Sequence, residues 1–356
     1  MGNIYILTFQ NALNYGAVFQ CTALYRTVSE IGNCTVLDYR CKKIEDSYKL
    51  LSVKYPVKKN IYGMLVMPVI KKKRKLFDEY LKKNIRRSKT YYSPDELINE
   101  NWQADDVFIC GSDQIWNTEL TDFDKSYFLD FAKNHNKISY AASSGKGIEK
   151  KEFDFFRDML ADFKAISVRE KTLKKELDAI GVESRQIIDP VFLMLKTEWL
   201  EISSPVDMQK GSYVMIFLLQ KSQNLLETAV KYAKEHNKIP LVITNMARNK
   251  IPGVKYITKC SPSQFLSYID NADSIFTNSF HGISLSIIFN KNFYFEFLGK
   301  GHKTNSRIQD IIELFGLQKQ NITLTDYSTD INYSEINTKI QDERNNAMNF
   351  LNDNLK

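Results

Sequence analysis

The sequence predicts an α/β protein built from two doubly wound domains facing a central cleft, and three observations predict it. The chain has 356 residues, and at roughly 150 residues per domain that length suggests two domains. Short apolar runs rich in β-branched and aromatic residues alternate with segments of helical period, the pattern of βαβ units around a parallel sheet. A polar break at Ser203-Ser204-Pro205 separates two such series, so the expected domains are residues 1–204 and 205–356.

In the first series, Ile4 to Phe9 reads as a buried strand, and Asn14-Tyr15-Gly16 makes the turn after it. Ala17 to Ile31 has apolar residues at helical spacing, Gly32 stops it, and Cys34 to Tyr39 is the second strand. Later strands are Asp106–Cys110, Lys137–Ala142 and Ala165–Val168. In the second series, strand Tyr213–Leu219 leads through helix Asn224–His236 to strand Pro240–Thr244. Helix Ser263–Ala272, strand Ser274–Asn278, helix Gly282–Phe289, strand Asn292–Phe297 and helix Arg307–Phe315 follow. The polar tail Glu335–Asn354 places Ile336, Ile340, Ala347 and Leu351 on one stripe, which predicts a surface helix on the second domain.

An apolar share of 43% with 26% charged residues excludes disordered, collagen-like and disulfide-stapled classes. The five cysteines lack a C-x-x-C pair, which predicts buried or idle thiols and no zinc. The N-terminus has no basic n-region and no apolar run reaches ~18 residues, so the expectation is a cytoplasmic protein without a signal peptide or membrane span. The net charge of +7 is concentrated: residues 41–90, read as a basic insertion, hold 16 Lys/Arg against 4 Asp/Glu.

Ligands of open α/β sheets sit at the carboxyl ends of strands, so reactive side chains are sought in strand-to-helix turns. Five turns qualify. His281, in Thr277-Asn278-Ser279-Phe280-His281-Gly282, reads as a general acid/base or a cation for an anion, or as a turn cap. Arg169, ending a strand, offers a bidentate fork to a carboxylate or phosphate, or a salt bridge to Glu170. His302, Lys303 and Arg307 precede a helix in a basic loop suited to an anion, or simply solvated. Asp113 offers a carboxylate and Trp116 a platform for a sugar ring; a capping Asp with a core Trp is the alternative. Asn14-Tyr15-Gly16 brings backbone close to a ligand, or is a tight structural turn. No Walker loop, G-x-G-x-x-G, H-E-x-x-H or G-x-S-x-G is present, which removes most support from nicotinamide, P-loop and serine-hydrolase chemistry.

Taken in order, five strings resemble the polysaccharide pyruvyl transferase family: Asn14 to Gln20, Gly111 to Asn117, Ser167 to Glu170, Asp189 to Leu193, and Ser279 to Gly282. The resemblance runs from residue 3 to about residue 317. It implies a GT-B-like fold of two Rossmann-like domains, with the first on the acceptor side and the second on the donor side. It also implies transfer of the pyruvyl group of phosphoenolpyruvate to a hexose as a ketal, in exopolysaccharide or capsule assembly, with no cofactor and no metal. The family histidine falls on His281 and its strand-end arginine on Arg169. Many members have an arginine where this chain has Ser279, so Lys303 or Arg307 is expected to help hold the donor. Asp113 would orient or deprotonate the acceptor, with Asn14, Tyr15, Gly16 and Trp116 around it.

Two alternatives stand beside this reading. One is a glycosyltransferase of the same architecture using a nucleotide-sugar donor. The other is a non-enzymatic module binding anionic polymers through residues 41–90, although no nucleic-acid motif appears and nucleic acid is not an expected partner. The apolar decapeptide 61–70, bracketed by Lys58-Lys59 and Lys71 to Lys75, has two readings as well. It is either an apolar wedge on an anionic membrane surface, near an acceptor carried on a polyprenyl diphosphate, or a helical hairpin packed into the first domain.

Overall fold

The computed structural model describes residues 2–47, 49, 57–244, 250–299, 305–325, 327 and 330–355, without the side chains of 57–60 and 62. It contains two compact units. The first comprises Met1–Met64, Leu81–Leu193 and Gln341–Lys356; the second comprises Leu65–Tyr80 and Met194–Ile340.

The first unit holds a seven-stranded sheet made of β1 (Ile4–Leu7), β2 (Cys34–Tyr39), β3 (Arg87–Tyr91), β4 (Val107–Cys110), β5 (Asn136–Ala142), β6 (Ala165–Val168) and β7 (Arg185–Gln186). Its spatial order is β3-β2-β1-β4-β5-β6-β7, and every pairing is parallel. Parallel strands covered on both faces read as unbroken apolar runs. Accordingly Ile4, Ile6, Leu7, Phe108 and Ile109 are all fully buried.

The second unit repeats the plan with five strands: β8 (Tyr213–Phe217), β9 (Ile239–Ile243), β10 (Lys255–Ile257), β11 (Ser274–Thr277) and β12 (Asn292–Phe295). Their order is β10-β9-β8-β11-β12, again wholly parallel. Val214, Ile216, Leu225, Ala229 and Phe276 form its core with Tyr294. Each unit is therefore a doubly wound α/β layer structure, as the alternating pattern predicts.

Several expectations shift. The strands absent from the sequence reading, β3, β7 and β10, all lie at sheet edges. An edge strand is half solvated and tolerates charge, so Arg87-Ser88-Lys89-Thr90-Tyr91 gives no apolar signal. The expected turn at Asn14-Tyr15-Gly16 is instead a helix start. Asn14 is the N-cap of helix Tyr15–Ile31, and its side chain accepts from the Gly16 N–H at 2.9 Å. The division between units falls after Leu193 rather than Ser204, because helix Lys196–Glu201 packs into the second unit. There Trp199 is fully buried and Lys196 Nζ meets Asp270 Oδ1 at 2.9 Å.

The tail is the predicted helix, Tyr333–Leu355, with Ile336, Ile340, Ala347 and Leu351 buried. Its last turns belong to the first unit, where Arg344 donates to the Leu193 carbonyl at 2.9 Å and Asn136 to the Asn354 carbonyl at 3.3 Å. Residues 57–84 form one continuous helix, Val57–Asn84, with Pro68 inside it, instead of a hairpin.

Candidate active site

In a doubly wound sheet the loops at the carboxyl ends diverge where the strand order reverses, leaving a crevice. The reversal lies between β1 and β4 in the first unit and between β8 and β11 in the second. Both positions carry a cavity, of about 260 Å³ and about 250 Å³ respectively.

The first cavity is walled by the loop Thr8–Ala12, by Asn14, by Tyr39–Cys41 with Lys43, and by Asp113 and Gln114. Asp113 follows β4 with φ of 77°, in the left-handed region, which Asp tolerates better than most residues. Its Oδ1 accepts from the Gln114 N–H at 2.9 Å, and its carbonyl accepts from the Ser143 N–H at 3.1 Å. Across the cavity Arg40 grips Asp38 with two bonds of 2.7 and 3.0 Å, while Gln10 and Thr90 also donate to Asp38. Burial would raise the Asp38 carboxyl, but Arg40, Thr90 and Gln10 outweigh it and hold the pKa below the ordinary value. Burial pushes the Cys41 thiol up to about 11, so it is no nucleophile at neutral pH. Amide and carboxylate groups facing a partly apolar hollow suit a polyhydroxylated ligand. Gln10, Asp38 and Arg40 were missed in the sequence. They satisfy the same strand-end criterion, but their pattern carries no motif.

Beneath this cavity three of the sequence motifs converge. Arg169 donates to Asp189 Oδ2 at 2.8 Å and to Glu170 Oε1 at 3.2 Å. Ser112 donates to Asp189 at 3.3 Å and Ser143 to Glu170 at 2.6 Å, while Thr8 donates to the Ser112 carbonyl at 2.7 Å. Arg169, Glu170 and Asp189 are all buried. Arg169 thus makes the salt bridge to Glu170 that is the second of its two readings, and a further one to Asp189. It ties the ends of β4, β5 and β6 together below Asp113. Trp116 is corrected: it is fully buried, stacked on Phe128 at 5.5 Å, with its indole N–H on the Tyr127 carbonyl at 3.1 Å. A ring enclosed in the core cannot be a sugar platform. Tyr15 is likewise buried, stacked near Phe19, and Gly16 is the first-turn amide that Asn14 caps. Of that turn only Asn14 reaches the cavity wall.

In the second unit, β11 ends at Thr277 and helix Phe280–Ile288 begins after only two intervening residues. Ser279 caps it, accepting from the Gly282 N–H at 3.3 Å, and Thr277 Oγ1 donates to the Phe217 carbonyl at 2.6 Å. A Cβ on Gly282 would lie 2.5 Å from Thr277 Oγ1, so glycine is required for the helix to start this close to the strand. Asn278 accepts from the Leu219 N–H at 2.8 Å and donates to the Gln220 carbonyl at 2.8 Å, which fixes the loop after β8. The Phe280 ring lies 5.1 Å from the His281 ring and 6.0 Å from the Arg307 guanidinium. Ser279, His281 and Arg307 are therefore grouped at one strand end, and Lys303 lies outside the described residues. The adjoining cavity is lined by Gln220, Lys221, Ser222, Asn278 and Glu296–Gly299. Glu296 accepts from Ser222 and from Asn224, the latter at 2.7 Å; this acid at the end of β12 was also missed. Among the described residues no group of three His, Cys, Asp or Glu could hold a metal.

The strand-end turns in this order match the family model of polysaccharide pyruvyl transferase over residues 14–295. The chain belongs to the polysaccharide pyruvyl transferase family. No curated protein matches it significantly. Solved structures similar to this pyruvyl transferase family member include UDP-GlcNAc 2-epimerase from Methanocaldococcus jannaschii, at 11% identity and TM-score 0.46, covering 96% of this chain and 99% of that one. UDP-GlcNAc 2-epimerase from Neisseria meningitidis bound to UDP-GlcNAc is similar at 10% identity and TM-score 0.44, covering 96% and 99%. An α-glucosyltransferase in complex with UDP-glucose and DNA gives 8%, 0.44, 98% and 95%. The matched span of the pyruvyl transferase model takes in Asn14, Asp113, Arg169, Ser279 and His281 and stops short of Arg307.

Proposed function

We propose that this chain transfers the pyruvyl group of phosphoenolpyruvate to a sugar of a glycan, as a ketal, with release of phosphate. The observation that carries the reading is the family match over residues 14–295, and the chemistry of the two strand-end sites supports it. The second unit is the donor side. His281 lies in the first turn of a helix whose amides favour an anion, and the Arg307 guanidinium lies 6.0 Å from the ring of its neighbour Phe280. With Arg169 committed to carboxylates, donor charge falls to Arg307 and Lys303.

In the reaction, protonation of the donor's methylene carbon gives an oxocarbenium-like centre, which one sugar hydroxyl attacks. Phosphate leaves with the C–O bond electrons, and the second hydroxyl closes the ketal. Of the two protons the hydroxyls give up, one makes good the proton delivered to the carbon and the other leaves with the phosphate, so a single group cycling between acid and base suffices. A histidine titrates in the right range for that work, and His281 takes the role. The first unit is the acceptor side, where Asp113 orients or deprotonates a hydroxyl and Asn14, Gln10 and Asn11 surround the sugar. An acceptor on a polyprenyl diphosphate at the cytoplasmic membrane face suits such a transfer.

Phosphate release from phosphoenolpyruvate in the presence of candidate glycans, with mass analysis of the acceptor, tests the proposal. Acceptor-dependent phosphate and one added pyruvylidene group are expected. Release of a nucleoside diphosphate from a nucleotide sugar instead would replace the reading with glycosyl transfer.

A further inference from the structure

Helix Val57–Asn84 presents a solvent face that its fold does not use. Val66, Lys73, Phe77, Tyr80 and Leu81 are buried along one side. On the other side, Ile61, Met64, Leu65 and Pro68 follow one another at the i, i+3, i+4, i+7 spacing of a helical stripe, and all four are exposed. Ile61 is 52% exposed, Met64 59% and Leu65 74%. The same stripe continues into Lys71, Lys72 and Lys75, also exposed. Glu79 then meets Lys75 at 3.8 Å, and exposed Lys82 and Lys83 complete the last turn. The face is thus apolar for two turns and cationic, with one acid, for the next three.

We propose that this face docks the protein on an anionic lipid bilayer. An acidic protein or a nucleic acid would satisfy the lysines and leave four apolar side chains in water. An apolar protein groove would satisfy the side chains and leave the lysines unmatched. A bilayer surface takes both, since apolar side chains sink roughly 5–10 Å into the headgroup boundary while cations meet anionic headgroups beside them. The contact is peripheral, because no helix among the described residues is long and apolar enough to cross a membrane. The inference concerns where the protein sits and is independent of the reaction proposed above.

The full-length protein is floated with vesicles of phosphatidylcholine containing phosphatidylglycerol, and with phosphatidylcholine alone. It rises with the anionic vesicles at low salt, stays down with the neutral ones, and is released at 1 M salt, where the screening length falls from about 10 Å to about 3 Å. Lys71→Gln, Lys72→Gln and Lys75→Gln together lower the bound-to-free ratio by about 100-fold. Met64→Gln with Leu65→Gln lowers it by about tenfold or more. Circular dichroism of both variants matches the parent, as expected for exposed positions. Failure of the parent to float, or flotation unchanged in both folded variants, overturns the proposal. So does a concentration-dependent dimer broken by Leu65→Gln in a protein that does not float, since a second copy would then cover the face.

Discussion

Arg169 has its charge balanced inside the fold, by Asp189 at 2.8 Å and Glu170 at 3.2 Å. Removing one partner of a buried ion pair strands the other charges, at a cost of about 3–5 kcal/mol. Arg169→Ala is therefore expected to lose that much unfolding free energy in a urea titration. Arg169→Lys keeps the charge but not the fork, and should fold with reduced stability and an unchanged KM for phosphoenolpyruvate. A fully stable Lys variant with a raised KM would return Arg169 to the donor site. His281 gives the opposite expectation. It lies in a helix first turn that Ser279 caps, so His281→Ala should keep the parent melting temperature while turnover falls about 100-fold or more. Near-normal turnover would remove it from the mechanism.

Among the elements, helix Val57–Asn84 carries its own strain. Lys73 is buried on its inner side, 5.0 Å from the Phe77 ring. Burial lowers its pKa from 10.5 to about 8, with Cys260 acting weakly in the other direction. Between those values the unfolded chain binds the proton that the folded chain has lost, so stability rises with pH across that window. Lys73→Met should raise unfolding free energy at pH 7 on the order of 2 kcal/mol and abolish the alkaline gain; denaturant titrations at neutral and alkaline pH measure both. A drop in stability on Lys73→Met would mean that contacts of the ammonium outweigh its desolvation. Legibility in the sequence also varies by element. Central strands such as β4, Val107-Phe108-Ile109-Cys110, bury every residue and announce themselves. Edge strands such as β3 are half wet and do not, although β3 supplies Thr90 to the Asp38 network beside the first cavity.

Over the whole molecule, each unit holds a carboxylate kept ionised by the cations and donors packed around it. Burial works against the charged form of Asp38 and of Asp270. Arg40, Thr90 and Gln10 outweigh it at Asp38, Lys196 and Lys210 outweigh it at Asp270, and both pKa values end below 3.8. Carboxyls lowered in the folded state contribute stability that is present above the unfolded value and lost as pH falls through the folded one. The melting temperature should therefore hold to about pH 5 and fall steeply below about pH 4, with the fall shallower in Asp38→Asn. A parent melting temperature unchanged down to pH 3 would contradict the assigned partners.

The sequence by itself determined the order of the central strands and the helices between them, the doubly wound plan of each half and the strand-end position of His281, because periodicity and capping act over a few residues. The five family strings were legible for the same reason. Only the tertiary structure decided which partners the side chains of those strings meet. Arg169 meets Asp189 twenty positions away and Ser112 meets Asp189 across 77, and no local pattern encodes such a pairing. Trp116 likewise reads as platform or core until Phe128 and Tyr127 close on it. The division after Leu193 and the return of the last helix to the first unit depend on which surface buries Trp199 and Leu351. Burial is settled by the packing of segments far apart in the chain, and a single sequence records only that those side chains are apolar.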